Sequence, residues 1–140
     1  VYSHWMAMIL LVGPNSKLTF KSHFKTNVGQ SLAAPLYNLP LEKITPRQAL
    51  DYMREYCNLT AGGVKRNLLS KLDMNLSLPV VCRGFDELFF EAGAEAEVDR
   101  WKLTFNGLEV VCTCAFELQP SVDLSGVDDK EVGDMEIEYL

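Results

Sequence analysis

The chain has 140 residues, of which 48% are hydrophobic and 23% are charged, and its mean hydropathy is +0.01. This balance is typical of one compact domain with its own hydrophobic core, and a second domain is not expected at this length. The formal net charge of −6 and the isoelectric point near 4.9 argue against a surface for nucleic acid or an anionic membrane, because both need clustered Lys and Arg. A partner of this chain should either accept a negatively charged surface or carry a locally basic one.

The cysteine pattern and the apolar runs predict neither a metal site nor a membrane span. The cysteines are Cys57, Cys82, Cys112 and Cys114. They form no C-x-x-C pair and have no histidine close by in sequence, so a zinc site is poorly supported. Free cytoplasmic thiols are the simpler interpretation, and the apolar run at residues 5–12 is too short to cross a bilayer. We therefore expect a cytoplasmic chain with no cofactor of its own.

Two strands and a short helix are predicted at the start of the chain. Residues 5–12 form a continuous apolar run that ends at Gly-Pro-Asn-Ser, and residues 18–24 then alternate apolar with polar side chains. That pattern is typical of a β-hairpin. A short helix is predicted over residues 26–38, although it contains a glycine and a proline, which both disfavour a helix interior.

A long helix is predicted after this segment. Thr45 is a suitable N-cap, Pro46 fits the first helical position, and Gln48 can complete a capping box. Apolar periodicity continues from there to Leu72 and is weak only at Gly62-Gly63. We predict one continuous helix, with a bend at the two glycines as an open alternative.

Four residues of this predicted helix share one polar face. Asp51, Glu55, Asn58 and Gly62 follow one another at spacings of four, three and four residues, which places them in a narrow arc. The opposite side is lined by Ala49, Met53, Cys57, Thr60, Val64 and Leu68. A carboxylate and a carboxamide therefore point together at solvent or at a partner. Because any solvated helix face carries acids and amides, this pattern alone is a weak indication of a site.

Strand signals dominate the second half of the chain. Residues 75–83 are rich in strand formers, residues 85–90 are short and apolar, and residues 101–118 are predicted to fold back as a hairpin at Asn106-Gly107. An acidic, turn-rich stretch then leads to residues 135–140. We interpret these last residues as a final strand or as an extension that packs on a neighbouring chain.

The order of these elements predicts an α+β fold in which long helices pack on a largely antiparallel β-sheet. We expect a single domain over residues 1–118 and an acidic C-terminal extension over residues 119–140. The long helix must bury its apolar side on the sheet. Its polar face is then left outward, where it is open to a macromolecule rather than sunk in a small-molecule pocket.

The polar face resembles the signature of the CheX/CheC-type family of chemotaxis response-regulator phosphatases. That signature is an acid or Ser, three residues, Glu, two residues and Asn, which here reads Asp51-x-x-x-Glu55-x-x-Asn58. Gly62 stands at the family's small-residue position, and residues 76–81 resemble the strand that follows this helix. The chain is nearer to single-site CheX-like members, because CheC-type chains carry a second copy of the motif and the predicted helix at 26–38 has none.

The amino-terminal helix that often precedes the first strand in this family is absent from the sequence. The chain also begins with Val1 rather than Met. We therefore expect a trimmed chain or a fragment of a longer one.

The resemblance implies a hydrolase that removes the phosphoryl group from the aspartyl phosphate of a CheY-type receiver domain. Asn58 would position an in-line water, and Glu55 would dock the receiver by pairing with a receiver lysine. Asp51 and Gly62 would belong to the partner-binding surface. The receiver itself would supply Mg²⁺. Members of this family also pair as homodimers, and we expect the same here.

Two alternatives remain open for the function of the polar face. The first is a non-catalytic module of two-component signalling that uses the same helix to bind a receiver or to assemble a complex. The second is a structural homodimer in which sheet edges or residues 135–140 pair between chains.

The remaining side chains that could support chemistry have simpler interpretations. His4 and His23 are isolated in sequence on predicted strands, and we expect them to have no role. Cys57 belongs to the apolar side of the helix and is interpreted as a buried thiol rather than a nucleophile. Cys112 and Cys114 share one face of a strand and are expected to be core thiols.

Overall fold

Two antiparallel hairpins form the centre of the fold. The computed structural model describes residues 4–84, 96–126 and 136–139. In the first hairpin, β1 (His4–Gly13) pairs with β2 (Ser16–Lys25) over its whole length. Alternate residues of these strands, such as Ile9 and Phe20, pack with the helices described below in the hydrophobic core. The middle of both strands is buried on the other side as well, at Met6, Met8 and Lys21. The predicted first hairpin is confirmed.

The second hairpin consists of β5 (Glu97–Phe105) and β6 (Leu108–Leu118). Its two turn residues, Asn106 and Gly107, have φ angles of 49° and 75°. Positive φ at both positions is the geometry that a two-residue hairpin turn requires, and Asn-Gly adopts it readily. The predicted turn is therefore confirmed, and β5 starts four residues earlier than the sequence pattern indicated.

One seven-stranded sheet joins the two hairpins within the described residues. Its order is β3 (Asn75–Leu76), β1, β2, β6, β5 and β7 (Glu136–Tyr139), with β4 (Val80–Arg83) beside β1. Each of these strand pairs is antiparallel. The final strand β7 (Glu136–Tyr139) pairs with β5, as one of the two interpretations of the C-terminus expected. The predicted apolar segment at 85–90 lies outside the described residues, and the domain boundary at residue 118 stays a prediction.

The strand signal at residues 75–83 corresponds to two short strands rather than one. β3 (Asn75–Leu76) and β4 (Val80–Arg83) both pair with β1. Between them, three residues of this segment stand opposite two residues of β1, so the chain bulges. Pro79 lies in this bulge and has no backbone N–H to donate to a hydrogen bond with β1. The single predicted strand is therefore wrong in this detail.

Both helices lie against the core side of the sheet. α1 (Thr26–Tyr37) has 12 residues and α2 (Pro46–Leu68) has 23, so α2 is the predicted long helix and is about 34 Å long at 1.5 Å per residue. The helices approach closely at Gly29, where an added Cβ would lie 3.2 Å from the Phe24 ring and 3.3 Å from the Ala49 Cβ. The predicted α+β architecture is confirmed.

α2 continues through Gly62-Gly63 without interruption. Its buried residues are Ala49, Met53, Cys57, Ala61 and Leu68, which differ from the predicted apolar side chiefly in that Ala61 is buried while Thr60 and Val64 are half-buried. One side of α2 is therefore buried and the opposite side is exposed along the helix.

In the described part of the chain, no helix has the length and apolar character needed to span a membrane.

Candidate functional site

The start of α2 is fixed by a complete capping box. The Gln48 backbone N–H donates to Thr45 Oγ1 at 3.2 Å, and the Thr45 backbone N–H donates to Gln48 Oε1 at 2.9 Å. Pro46 occupies the first helical position, where its missing N–H costs nothing. Because the first residue of a helix sets the phase of all later ones, this cap determines which side chains face outward two and three turns on.

The buried side of α2 fixes the rotation of the helix on the sheet. Met53 is 1% exposed and Cys57 is 0% exposed. The Cys57 thiol lies 3.2 Å from Ser22 Oγ on β2, and the Tyr56 hydroxyl lies 3.9 Å from Cys112 Sγ on β6. A rotation of α2 would break these contacts and expose apolar area, so the outward face is held in a defined direction.

Burial also sets the chemistry of these thiols. It raises the pKa of Cys57 to about 11 and that of Cys112 to about 12. It likewise raises the pKa of the Tyr56 hydroxyl. A thiol that stays protonated and enclosed at neutral pH is a poor nucleophile. The position of Cys57 thus agrees with the interpretation as a structural thiol.

Glu55 and Asn58 lie together on the outward face of α2. The Glu55 side chain is exposed and Asn58 is half-buried, and their three-residue spacing puts them about one helical turn apart. Within the described part of the chain, neither side chain has a hydrogen bond or an ion pair. A carboxylate and a carboxamide are therefore both available to a partner that approaches this face.

Asp51 stands one turn before Glu55, but its carboxylate is already engaged. Asp51 Oδ1 lies 2.9 Å from Arg54 Nη1, and Asp51 Oδ2 lies 3.9 Å from Arg47 Nε. Sequence analysis did not select either arginine, although the spacings of three and four residues were visible signals for such pairs. The role of Asp51 in partner binding stays a prediction. We call the outward surface of α2 formed by Asp51, Glu55, Asn58 and Gly62, together with Arg47 and Arg54, the candidate face.

Gly62 follows Asn58 by one turn on the same face. In the part of the chain that the structure describes, a Cβ built at Gly62 would have no atom within 4 Å, and the same holds at Gly63. Neither glycine has a positive φ. The packing of the chain thus places no demand for glycine at either position, and glycine disfavours a helix interior by about 1 kcal/mol relative to alanine. A flat surface at Gly62 is thus open to a partner.

Exposed leucines flank these polar residues. Leu59 is 65% exposed and lies on the outward half of α2, next to Glu55. Leu69 is 60% exposed and directly follows the last residue of α2, in line with Gly62. Neither leucine belonged to the apolar side predicted for this helix, and neither was selected as a site residue. Mixed apolar and polar side chains on one exposed face are typical of protein-binding surfaces.

The structure places no metal centre on this face. Among residues 4–84 and 96–126, no group of three or more His, Cys, Asp or Glu side chains is arranged to hold a metal ion. His4 and His23 do contact each other, with His4 Nε2 3.1 Å from His23 Nδ1. These residues, distant in sequence, are neighbours in the sheet, because the register opposes Met6 to His23 and makes His4 its diagonal neighbour on the same face. The expectation that they have no role stays a prediction.

Comparisons with solved structures identify the fold. The CheX chemotaxis protein of Vibrio vulnificus superposes with a TM-score of 0.65 at 18% identity, covering 84% of this chain and 78% of that one. A chemotactic CheC-like protein of Shewanella oneidensis gives 0.66 at 18%, covering 84% and 76%. CheX of Borrelia burgdorferi, solved in a complex with CheY, BeF3 and Mg²⁺, gives 0.64 at 15%, covering 81% and 75%.

The likeness lies in the three-dimensional structure. No sequence model of a protein family and no curated protein sequence matches the chain. The superposed share exceeds three quarters of this chain in each case. This chain has the fold of the CheX/CheC-type family.

Proposed function

We propose that this chain is a phosphatase that dephosphorylates the aspartyl phosphate of a CheY-type receiver domain. One observation carries the proposal: Glu55 and Asn58 stand one turn apart on the outward face of α2, with no partner among the described residues. The Borrelia burgdorferi neighbour, a CheX in a complex with CheY, BeF3 and Mg²⁺, supports a CheY-type receiver as the partner.

This reaction requires little covalent chemistry from the phosphatase itself. A water oxygen attacks phosphorus opposite the aspartyl oxygen, and the bond between phosphorus and that oxygen breaks. Its electron pair stays on the aspartyl carboxylate, inorganic phosphate leaves, and the proton of the water passes to the phosphate or to solvent. Such phosphoryl transfer is accelerated mainly by positioning and electrostatics.

The role assigned to Asn58 is to position that water. Its carbonyl oxygen can accept a hydrogen bond from the water while its NH₂ group remains neutral beside the phosphoryl oxygens. A carboxylate at the same position would repel the phosphoryl group. We place Mg²⁺ on the receiver and no cofactor on this chain, since Asn58 acts through hydrogen bonds alone.

The role assigned to Glu55 is to dock the receiver. An exposed carboxylate without a partner among residues 4–84, 96–126 and 136–139 can pair with a receiver lysine without first breaking a contact to any of these residues. Because Glu55 and Asn58 belong to the same rigid helix, that ion pair would also fix the approach of Asn58 to the phosphoryl group. The proposal places the chain in the cytoplasm with its receiver, and a homodimer remains a separate proposal.

The proposal is tested with purified receivers of the host, each labelled on its aspartate with ³²P and freed of phosphodonor. Loss of label is followed in Mg²⁺ buffer with wild-type chain, Asn58→Ala and Glu55→Gln. Asn67→Ala is the matched control for the amide, because Asn67 is an exposed asparagine of the same helix. Glu42→Gln is the matched control for the carboxylate, because Glu42 is exposed in the turn before the helix.

We expect wild type and both controls to accelerate the loss of label from at least one receiver. Asn58→Ala should lower the acceleration by about 100-fold or more, in the range found when one positioned polar group is removed from a site. Glu55→Gln should raise the receiver concentration needed for half-maximal rate. No acceleration of any receiver by the folded wild-type chain, while a receiver still binds, would instead identify a non-catalytic binding module.

A further inference from the structure

The charge of α2 differs in sign from that of the whole chain. Although the chain has a formal net charge of −6, α2 carries four basic residues and two acidic ones, a formal charge of +2. The basic residues are Arg47, Arg54, Lys65 and Arg66, and the acidic ones are Asp51 and Glu55. The helix α2 is therefore locally basic on an acidic protein.

Three of these cations form one line with Asn58. Arg47, Arg54, Asn58 and Lys65 are separated by seven, four and seven residues, which places them within about 40° of one another around a helix of 3.6 residues per turn. Arg54 is one turn from Asn58, about 6 Å along the axis, and Lys65 is about 10 Å away on the other side. We call Arg47, Arg54 and Lys65 the basic stripe.

The helix dipole does not explain the amino-terminal half of the stripe. The helix dipole favours acids in the first turn and cations in the last. Lys65 fits that rule, but Arg47 stands in a first turn that holds no acid. The Arg47 side chain is 91% exposed and that of Arg54 is 44% exposed, so solvent reaches both guanidinium groups. Their pairs with Asp51 stabilise the helix by only about 0.2–0.5 kcal/mol each, and both cations remain accessible to an anionic partner.

Asp51 holds the arginines of the stripe in place. Its carboxylate lies 2.9 Å from Arg54 Nη1 and 3.9 Å from Arg47 Nε. An exposed arginine side chain samples many rotamers, and an ion pair at this spacing restricts them. The Arg54 guanidinium is thus kept on the outward face, beside the position of Asn58. In this arrangement Asp51 acts through Arg54, as a positioning residue.

We propose that the basic stripe binds the acidic surface around the aspartyl phosphate of the receiver and that Asp51 positions Arg54 for this contact. The inference rests on the proposed function. A phosphoryl group carries a charge of about −1.5 to −2 near neutral pH, and a line of cations beside Asn58 is complementary to it. The stripe would raise the rate of productive encounter and orient the receiver along α2.

The test measures kcat/KM for loss of ³²P from the same purified phosphorylated receiver. It is carried out between about 20 and 300 mM NaCl, a range in which the screening of charge–charge interactions by salt changes strongly. The variants are Arg54→Gln, Asp51→Asn and the double substitution. Arg100→Gln is the control for loss of one positive charge. Arg100 is exposed on β5, and its neighbour Trp101 stacks on the core residue Phe20, so Arg100 points away from the helices.

We expect Arg54→Gln to lower kcat/KM by about five- to tenfold at low salt and by less at high salt, whereas Arg100→Gln changes it by less than about twofold. Asp51→Asn should have a smaller effect than Arg54→Gln, and the double variant should match Arg54→Gln alone, because a positioning residue has no effect once its target is gone. Arg54→Lys should retain the salt dependence because it keeps the charge.

Three results would overturn the inference, and they are distinguishable. If wild type is active and Asn58→Ala is not, but Arg54→Gln behaves like Arg100→Gln, then the stripe is wrong and the proposed function stands. If the effects of Asp51→Asn and Arg54→Gln multiply in the double variant, then Asp51 contacts the receiver itself. If the wild-type chain neither binds nor dephosphorylates any receiver, then the proposed function and the stripe both fail.

Discussion

Gly62 and Gly63 offer a matched pair of substitutions that separates helix stability from function. The two glycines are adjacent in α2, and a Cβ at either position would meet no atom of the described residues within 4 Å. They differ in direction, because Gly62 falls within the arc of Asp51, Glu55 and Asn58 whereas Gly63 is rotated away from it by about 100°. Alanine at either position should therefore change the stability of the helix by the same amount, whereas only alanine at Gly62 should change the docking of a receiver on the candidate face.

The expected gain in stability follows from helix propensity. Glycine in a helix interior is about 0.8–1.0 kcal/mol less favourable than alanine, chiefly because it loses more backbone entropy on folding. Since there is space for the methyl group at both positions, no steric cost opposes this gain. Gly62→Ala and Gly63→Ala should each raise the free energy of unfolding by about 0.5–1 kcal/mol, or the melting temperature by about 2–4 °C.

The effect on function should be confined to Gly62. If a receiver packs closely on the outward face, a methyl group at Gly62 meets the receiver and costs about 1–3 kcal/mol in docking. Gly62→Ala should thus lower kcat/KM for the phosphorylated receiver by about tenfold or more, while Gly63→Ala leaves it unchanged. Stability is read from urea denaturation, and kcat/KM from loss of ³²P.

Two results would refute this reasoning. A loss of stability in either variant would mean that the methyl group has no free space or that the helix is not continuous at these positions. Equal activity of Gly62→Ala and Gly63→Ala, with both variants folded, would mean that no partner approaches α2 closely at Gly62.

Further predictions concern the helix start and the buried thiols. Thr45→Ala removes the N-cap of α2 and should lower the free energy of unfolding by about 1 kcal/mol in urea titrations, and an unchanged midpoint would contradict the role of the cap. In the native chain at pH 8, an aromatic disulfide reagent should label the half-buried Cys82 first, because burial raises the pKa of Cys57 to about 11 and that of Cys112 and Cys114 to about 12. These raised pKa values also predict that the contribution of the three thiols to stability is constant below about pH 8 and is lost as the pH rises from about 9 towards 12, because the thiols of the unfolded chain ionise first. Stability that rises between pH 9 and 11 would contradict their burial.

Local signals were sufficient to predict the helix that carries the candidate face. Thr45 and Gln48 form the expected capping box, and the spacing of the apolar residues gave the side of α2 that packs on the sheet. Because a capped helix has a fixed phase, the outward position of Glu55 and Asn58 followed from sequence. The hairpin turn at Asn106-Gly107 was predictable for a similar reason, since few residue pairs adopt positive φ twice in succession.

Features that depend on contacts between distant segments could not be predicted. The bulge between β3 and β4 exists because both strands pair with β1, far away in sequence. The contact between His4 and His23 depends on the register of β1 against β2. The arginine partners of Asp51 were within reach of helix spacing rules, but which rotamers they adopt depends on the folded surface.

The role of Asn58 in positioning the water is tested by comparing how fast wild type and Asn58→Ala, at equal concentration, remove phosphate from one phosphorylated receiver. Binding of each to the same receiver loaded with Mg²⁺ and BeF3, which mimics the phosphoryl group, is measured alongside. We predict that wild type accelerates the loss of phosphate, that Asn58→Ala loses at least about 100-fold of this acceleration, and that the two bind the loaded receiver with similar affinity. Equal acceleration by both would contradict the assignment of Asn58 as the residue that positions the water.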